Sequence, residues 1–208
     1  MKGFSSYADA SRILARLEGI KEEEIEALVR LKYEHVLSCQ MYGVKGWEAK
    51  DKQIVEMCKA HPHTVLTHYE QPDLAAKSME DAGSYYYLCR SRIDYEEDPA
   101  GIMKLTHRIR LPGNPIVGEG KPENQNLGIV YARGNYMQTI DMNQDAQLSE
   151  GLKVRNLIRT FEDDDDTVIV GFPEQMITEQ NGSVAQFSAL SEQVFGTMVQ
   201  RYMAKPLC

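Results

Sequence analysis

The sequence predicts an α/β domain in which helices flank a mixed sheet, and three observations support this prediction. Segments with apolar residues at helical spacing alternate along the chain with short runs rich in β-branched and aromatic residues. Such alternation is typical of a sheet that carries helices on its faces. Of the 208 residues, 42% are hydrophobic, which is enough for the core of one domain. The sequence contains no internal repeat of the kind that indicates a solenoid.

The first part of the chain predicts two helices, a strand and a third helix. Residues 8–18 place apolar side chains at i, i+3, i+4 and i+7, namely Ala10, Ile13, Leu14 and Leu17. The segment "KEEEIEALVR" has its acids early and Arg30 late, which matches the helix dipole. "YEHVLSCQMYG" is rich in strand formers and ends in glycine, so a strand is expected over 33–41. Helical spacing then returns at Trp47, Ile54, Met57 and Cys58.

The middle of the chain predicts a strand, a helix and a hairpin. "HTVLTHY" has the composition of a short strand. "PDLAAKSMEDAG" begins with proline and is closed by glycine, as helices often are. "SYYYLCRSRI" and "IMKLTHRIRL" are two strand-like runs joined by the acidic turn "DYEEDPAG", which predicts an antiparallel hairpin.

The last part predicts three helices and two strands. Pro122 suits the first turn of a helix, with Leu127, Val130 and Tyr131 as its inner face and Gly134 as its C′ glycine. "YMQTI" and "TVIVGF" are predicted as strands. The two other helices are indicated by Val154, Leu157, Ile158 and Phe161, and by Val194, Met198 and Tyr202.

Composition argues against several classes of protein. The formal net charge is −8 and no run of lysines and arginines is present, so nucleic acid is not an expected partner. No stretch is apolar for the ~18 residues that a membrane helix needs, and residues 1–30 lack the apolar centre of a signal peptide. The cysteines show no CxxC spacing and are expected to be reduced thiols in a cytosolic setting; they are Cys39, Cys58, Cys89 and Cys208.

A candidate anion site lies at Lys121, within "GEGKPENQN". Two glycines precede this lysine, and a helix is predicted to begin beside it. A helix N-terminus offers free N–H groups and partial positive charge, and glycines let the backbone approach a phosphate closely. The segment lacks the GxxxxGK[ST] pattern of a P-loop. The alternative interpretation is a solvated lysine on a surface turn.

A second candidate site is "DMNQD", which follows the strand predicted at "YMQTI". Ligands collect at the carboxyl ends of strands in open α/β sheets. Asp141, Asn143 and Asp145 offer oxygen ligands suited to a hard cation or to sugar hydroxyls. The alternative for Asp141 is the N-cap of a helix. The amides Asn124, Gln125 and Asn126 are candidates to contact a base or a sugar, or to cap their own helix.

Two other polar clusters are expected to be structural. "HPHTVLTH" supplies His61, His63 and His68 without a third ligand at zinc-like spacing, so solvated or packed histidines are expected. "EDDDD" is expected to be a solvated turn, because blocks of like charge repel one another.

Three segments together resemble the catalytic region of 1,3-β-glucan synthases, the family of plant callose synthases and fungal cell-wall glucan synthases. They are "YEHVLSCQMYG", "HRIRLPGNPIVGEGKPENQN" and "ARGNYMQTIDMNQDAQLSEGLKVRNLI". The stretch from Arg108 to Leu157 is similar to that family almost throughout, and the later "NGSVAQFSALSEQVFGTMVQRYMAKPL" also resembles it.

The resemblance implies a GT-A-like glycosyltransferase domain and an inverting, processive transfer of glucose from UDP-glucose to the 3-hydroxyl of a growing β-1,3-glucan. It assigns Lys121 to the diphosphate and Asp141 to the nucleotide sugar as the catalytic pair. The amides Asn124 and Asn126 are expected to line the same pocket, with Asn143 and Asp145 as further substrate contacts. No metal ligand is assigned, and Mg²⁺ is the candidate cofactor.

The resemblance also implies a multi-pass protein of the plasma membrane, with this region on the cytosolic side and a small GTPase as a candidate regulator. Residues 1–208 are expected to form part of one truncated glycosyltransferase domain, with a helical lead-in at 1–30 and a catalytic part at 31–208. The general base and the acceptor site are expected beyond this chain, which would leave it inactive alone. Two alternatives stay open, namely a non-catalytic nucleotide-sugar-binding or regulatory module and an unrelated α/β protein that binds a phosphate ligand.

Overall fold

A computed structural model describes residues 2–61, 63–71, 85–95, 97–116, 120–140, 148–170, 182–195 and 198. The chain forms two compact units, the first made of Met1–Val29 and Tyr136–Cys208, the second of Arg30–Asn135. The predicted division into a lead-in and a catalytic part stays a prediction.

The second unit contains a four-stranded mixed sheet, which confirms the predicted fold class. Its strands are β1 (Val36–Ser38), β2 (Val65–Glu70), β3 (Tyr87–Ile93) and β4 (Met103–Arg110), in the spatial order β1-β2-β3-β4. β1 and β2 are parallel, whereas β2–β3 and β3–β4 are antiparallel. The finer assignment to a GT-A-like fold stays a prediction.

A helix makes the parallel pairing of β1 and β2 possible, because parallel strands need a crossover. This helix, α3 (Glu48–Ala60), buries Ile54, Met57 and Cys58 against the sheet. Its partners in the sheet are Leu37, Leu66 and Ile93. Burying one such side chain contributes roughly 1.5–3 kcal/mol, so these contacts are the main support of the unit.

The predicted hairpin is confirmed as β3 and β4. Residues of β3 alternate between buried and half-buried, whereas β4 is almost entirely exposed and forms an edge of the sheet. The connection needs glycine at Gly101, where φ is +64° and an added Cβ would lie 2.6 Å from the ring of Tyr95. No other residue fits that place without displacing the ring.

The first unit is helical. Its helices are α1 (Lys2–Leu17), most of α2 (Glu22–Lys32), α5 (Leu148–Asp163) and α6 (Gly182–Val194). α1 and α2 pack through Ala8, Ala15, Ile25 and Val29. α5 approaches α1 very closely at Gly151, where an added Cβ would lie 2.7 Å from Cβ of Ala10. The small residue therefore sets the distance between these two helices.

Two predicted strands are wrong. Residues 136–140 of "YMQTI" and residues 167–170 of "TVIVGF" form no regular structure, and Val168 and Ile169 are 82% and 86% exposed. Strand propensity depends on packing against neighbouring strands, and none of the described strands pairs with these segments. The strand predicted over 33–41 is shorter, since only Val36–Ser38 pair regularly.

Other predictions are partly confirmed. The last helix begins at Gly182 and ends at Val194, and of the residues that predicted it Val194 therefore lies within it. Tyr202 and the helix predicted at "PDLAAKSMEDAG" lie outside the described residues.

Two of the described cysteines and one of the histidines are buried. Cys39, Cys58 and Cys89 are free, with Cys58 and Cys89 buried, whereas Cys208 lies outside the described residues. His68 is buried with Nε2 3.1 Å from Oγ of Ser91, and this burial lowers its pKa. In the part of the chain that the structure describes, no three His, Cys, Asp or Glu side chains gather as a metal-holding group. Among the described helices, none is both long and apolar enough to cross a membrane.

Candidate functional site

The helix predicted beside Lys121 is confirmed as α4 (Lys121–Ile129), with Pro122 in its first turn. Gly120 precedes it with φ of +90°, a conformation that favours glycine. The helix caps itself, because the N–H of Gly120 donates to Oε2 of Glu123 over 3.1 Å.

The inner face of α4 differs from the predicted one. Its buried residue is Gly128, whose added Cβ would lie 3.2 Å from Cβ of Ser38, and Leu127 and Tyr131 are half-buried beside it. Val130 was placed on the inner face, but it is 54% exposed. The close approach at Gly128 turns the helix so that Val130 points away.

Gly134 is not the C′ residue of α4, because the helix already ends at Ile129. Gly134 nevertheless has φ of +116°, so it serves a turn further along the chain. The hydroxyl of Tyr131 donates to the carbonyl of Leu88 over 2.8 Å and ties the end of α4 to β3.

Asn124 fastens the first half of α4 to the end of β1. Oγ of Ser38 lies 2.7 Å from the carbonyl oxygen of Asn124 and 2.8 Å from its Oδ1. In return, Nδ2 of Asn124 donates to the carbonyl of Ser38 over 3.1 Å. The Asn124 amide therefore fixes the position of α4, because it accepts a hydrogen bond from the Ser38 hydroxyl and donates one to the Ser38 carbonyl.

The start of α4 consequently lies at the carboxyl end of the parallel pair. Gln40 lies in the turn after β1, two residues past Ser38, and its Nε2 would lie 2.9 Å from a Cβ added to Gly120. Ligands of open α/β sheets bind at this edge. Lys121 is exposed at the first position of the helix, where its charge adds to the positive end of the helix dipole.

The N-terminus of α4 is less open to an anion than the sequence predicts. The N–H of Gly120 is already bonded to the Glu123 carboxylate, and Pro122 has no N–H. A phosphate here would meet the negative charge of Glu123 unless that side chain turned away. Attraction for an anion therefore depends mainly on the ammonium group of Lys121.

Two buried polar atoms lie near the same helix start. They are Oε1 of Gln40 and the hydroxyl of Tyr69, and neither has a hydrogen-bond partner within the described part of the chain. Burial first, and the nearby Glu123 carboxylate second, raise the pKa of Tyr69 to about 12. The sequence predicts no site role for either residue; Gln40 lies in the turn after β1, and Tyr69 is the penultimate residue of β2.

Asn126 lies on a different surface of α4 from Asn124. It lines an open groove of about 310 Å³ together with Glu123, Leu127 and the segment 111–115. The Asn124 side chain is hydrogen-bonded to Ser38. Of the two amides, therefore, only Asn126 lines this groove. The assignment of both amides to substrate stays a prediction.

The residues of "DMNQD" are not described. Asp141, Asn143 and Asp145 lie outside the described residues. Their predicted contacts with a nucleotide sugar, and the role of Asp141 in a catalytic pair with Lys121, stay predictions.

Replacing Asn124 by alanine should lower the free energy of unfolding by about 1–2 kcal/mol, because it leaves the Ser38 carbonyl without its side-chain donor. Asn126→Ala, on the same helix but exposed, is the matched control and should change stability by less than about 0.5 kcal/mol. Urea denaturation of both variants measures the difference. Equal effects would show that the Ser38–Asn124 contact does not hold the helix.

Comparison with known proteins places these features in a family. The family model described as "1,3-beta-glucan synthase component" matches residues 1–207. Callose synthase 3 of Arabidopsis thaliana is 32% identical over 219 residues, which cover 100% of this chain and 11% of that protein. Callose synthase 9 of the same plant is 36% identical over 189 residues, covering 88% of this chain and 10% of that protein.

A fungal protein gives the same result. The 1,3-beta-glucan synthase component bgs1 of Schizosaccharomyces pombe is 29% identical over 233 residues, which cover 98% of this chain and 13% of that protein. The chain thus spans about a tenth of the length of these relatives. With the family model matching nearly every residue, the chain belongs to the 1,3-β-glucan synthase family.

Proposed function

We propose that this chain supplies the donor site of a 1,3-β-glucan synthase. In this proposal the whole enzyme transfers glucose from UDP-glucose to the 3-hydroxyl of a growing β-1,3-glucan, with inversion and processively. The observation that carries the proposal is the position of α4, whose first turn bears Lys121 at the carboxyl end of β1. Family membership supports the choice of substrate class.

Lys121 has the chemistry that a departing nucleoside diphosphate needs. When the bond between glucose and UDP breaks, negative charge develops on the diphosphate oxygens. A fixed cation beside them stabilises that charge more in the transition state than in the ground state. In the proposal the Lys121 ammonium has this role, and the positive end of α4 assists it.

Asn124 has a positioning role in the proposed site. Its side chain is bonded to Ser38 on both its oxygen and its nitrogen, so it sets where Lys121 stands relative to the strand. Asn126 remains a candidate substrate contact from the neighbouring groove. Asp141, with Asn143 and Asp145, is proposed to contact the nucleotide sugar.

The other parts of the reaction are assigned to the rest of the enzyme. An inverting transfer needs a base that takes the proton of the acceptor hydroxyl. We propose that this base, the glucan site and the membrane-spanning helices come from sequence outside these 208 residues. Placement of this region at the cytosolic face of the plasma membrane, a regulatory small GTPase and a requirement for Mg²⁺ are parts of the same proposal.

Calorimetry on the 208-residue chain tests the donor site. UDP and UDP-glucose should bind, whereas GDP-mannose should bind much more weakly. The chain alone should form no β-1,3-glucan from UDP-glucose. Absence of binding by both uridine ligands would refute the donor site, and glucan formation would refute the assignment of the base to another part of the enzyme.

The alternative of a non-catalytic nucleotide-sugar-binding module predicts the same binding. It differs in the full-length protein, where Lys121→Ala would leave glucan synthesis unchanged. A large loss of synthesis in membranes carrying that variant supports the catalytic assignment.

A further inference from the structure

We propose that Gln40 and Tyr69 bind a sugar hydroxyl of the donor next to its diphosphate, and so act as specificity residues of the site. This inference rests on the proposed donor site at α4 and extends it to the part of the ligand beyond the phosphates.

The first observation is the unmet hydrogen-bonding capacity of the two side chains. Tyr69 is only 6% exposed, yet its hydroxyl has no partner among the described residues. The amide oxygen of Gln40 is buried and equally without a partner there. Buried polar groups in proteins are nearly always bonded, because an unbonded one loses water without compensation. Two such atoms near one helix start indicate a partner that the described residues do not supply.

The second observation is where these atoms lie. The Gln40 amide is next to Gly120, since its Nε2 and Oε1 would lie 2.9 and 3.2 Å from a Cβ added there. Tyr69 follows Thr67 by two residues on β2, and Oγ1 of Thr67 would lie 3.8 Å from a Cβ added to Gly128, so Tyr69 projects from the same face of the sheet toward α4. The Glu123 carboxylate of α4 also contributes to the raised pKa of the phenol. Gly120 and Glu123 are themselves joined by a hydrogen bond of 3.1 Å. Gln40 and Tyr69 thus approach α4 from the turn after β1 and from the end of β2.

The chemistry of the missing partner follows from these positions. The Gln40 oxygen needs a donor, and the Tyr69 hydroxyl can either donate or accept. A sugar hydroxyl does both. In a nucleotide sugar, the groups directly bonded to the diphosphate are the ribose on one side and the hexose on the other. Polar atoms beside a phosphate-binding helix start are therefore placed for a sugar, and not for the more distant base.

Glu123 explains how the ligand reaches two covered atoms. Its carboxylate is only half-buried and is bonded to the N–H of Gly120, where the diphosphate would approach. Repulsion between the two anions drives the flexible Glu123 side chain away when the ligand arrives. In the proposed complex, the Glu123 side chain has turned away from Gly120, and the sugar next to the diphosphate occupies the space toward Tyr69.

Tyr69→Phe separates a ligand contact from a structural one. Removal of a hydroxyl that has no partner among the described residues should leave the denaturation midpoint unchanged or raise it. Affinity for UDP-glucose, measured by calorimetry on the 208-residue chain, should fall about three- to ten-fold, as expected for one lost neutral hydrogen bond. Gln40→Met, which keeps the size and removes the amide, should lower affinity in the same range.

Tyr131→Phe is the matched control. Its hydroxyl has a partner, the carbonyl of Leu88 at 2.8 Å, so this variant should lose stability and keep its affinity for UDP-glucose. The crossed pattern of the two Tyr→Phe variants is the expected result. Unchanged affinity in both Tyr69→Phe and Gln40→Met, with normal binding by the wild type, would overturn the inference and leave the proposed donor site intact. Failure of the wild type to bind UDP or UDP-glucose would overturn both.

Two ligands distinguish the ribose from the glucose. If the contacted hydroxyl belongs to the ribose, Tyr69→Phe should lower the affinities for UDP and for UDP-glucose by the same factor. If the hydroxyl belongs to the glucose, only the affinity for UDP-glucose should fall. Either outcome supports a sugar contact and identifies which sugar makes it.

Discussion

Lys121→Ala should weaken the binding of UDP about ten- to a hundred-fold and leave the binding of UMP nearly unchanged. The reason is that Lys121 stands at the first position of α4, where its ammonium would meet the β-phosphate that UMP lacks. A hydrogen bond to a charged group contributes about 1.5–3 kcal/mol, which corresponds to this range of affinity. Calorimetry with the two nucleotides measures the ratio directly.

Lys52→Ala is the control for a general loss of positive charge. Lys52 is exposed on α3, so its removal changes the net charge equally without touching the start of α4. Its effect on UDP binding should stay within about two-fold and should vanish at high salt, as long-range attraction between exposed charges does. Equal losses of UDP and UMP affinity in Lys121→Ala would contradict the contact with the β-phosphate.

Gly151→Val should lower the free energy of unfolding by about 1–3 kcal/mol, since it overpacks the contact between α1 and α5. An added Cβ would lie 2.7 Å from Cβ of Ala10 and 3.0 Å from the backbone oxygen of Ser6. At least one of these contacts is with backbone, so a side chain cannot relieve it by changing rotamer. The helices must separate.

The sign of this effect is informative because helix propensity alone predicts the opposite. Glycine inside a helix is less favourable than most other residues, so an exposed Gly→Val change would be slightly stabilising. Gly113→Ala is the control, because nothing lies within 4 Å of its added Cβ, and it should change stability by less than about 0.5 kcal/mol. A stabilised Gly151→Val variant, measured by urea denaturation, would show that α1 and α5 do not pack through this residue.

Elements with a strong local signal could be predicted from the sequence. The helical spacing of residues 8–18 and the charge gradient of "KEEEIEALVR" correspond to α1 and α2. The two strand-like runs around "DYEEDPAG" correspond to the hairpin of β3 and β4. In each case the residues that interact are close in sequence, so their spacing contains most of the information.

The wrong strands at 136–140 and 167–170 have a common cause. A strand exists only if another strand offers its backbone groups, and a run of β-branched residues cannot report whether that neighbour is present. The same holds for the side of α4 that is buried. The close approach of Gly128 to Ser38 determines which side of α4 is buried. The apolar side chains whose spacing predicted a buried Val130 do not determine it.

Some features of the candidate site could likewise be predicted from the sequence, and others could not. A lysine at the start of a helix was visible in "GEGKPENQN", and the structure has Lys121 there. Two hydrogen bonds could not be predicted, because no spacing rule specifies which groups pair. They join Gly120 to Glu123 and Ser38 to Asn124. Gln40 belongs to "YEHVLSCQMYG" and Tyr69 to "HTVLTHY", but the sequence predicts no site role for either residue. What distinguishes them is a buried polar atom without a partner among the described residues.

By itself, the sequence determined the α/β class, most helices, the hairpin, the lysine at the mouth of α4 and membership of a family. All of these depend on residues that are near one another along the chain or on a pattern of residue identities. Only the tertiary structure decided which strands find partners, which side of α4 faces the sheet and which polar atoms are buried without a bond. These properties depend on which distant segments meet, and that outcome is set by the packing of the whole unit.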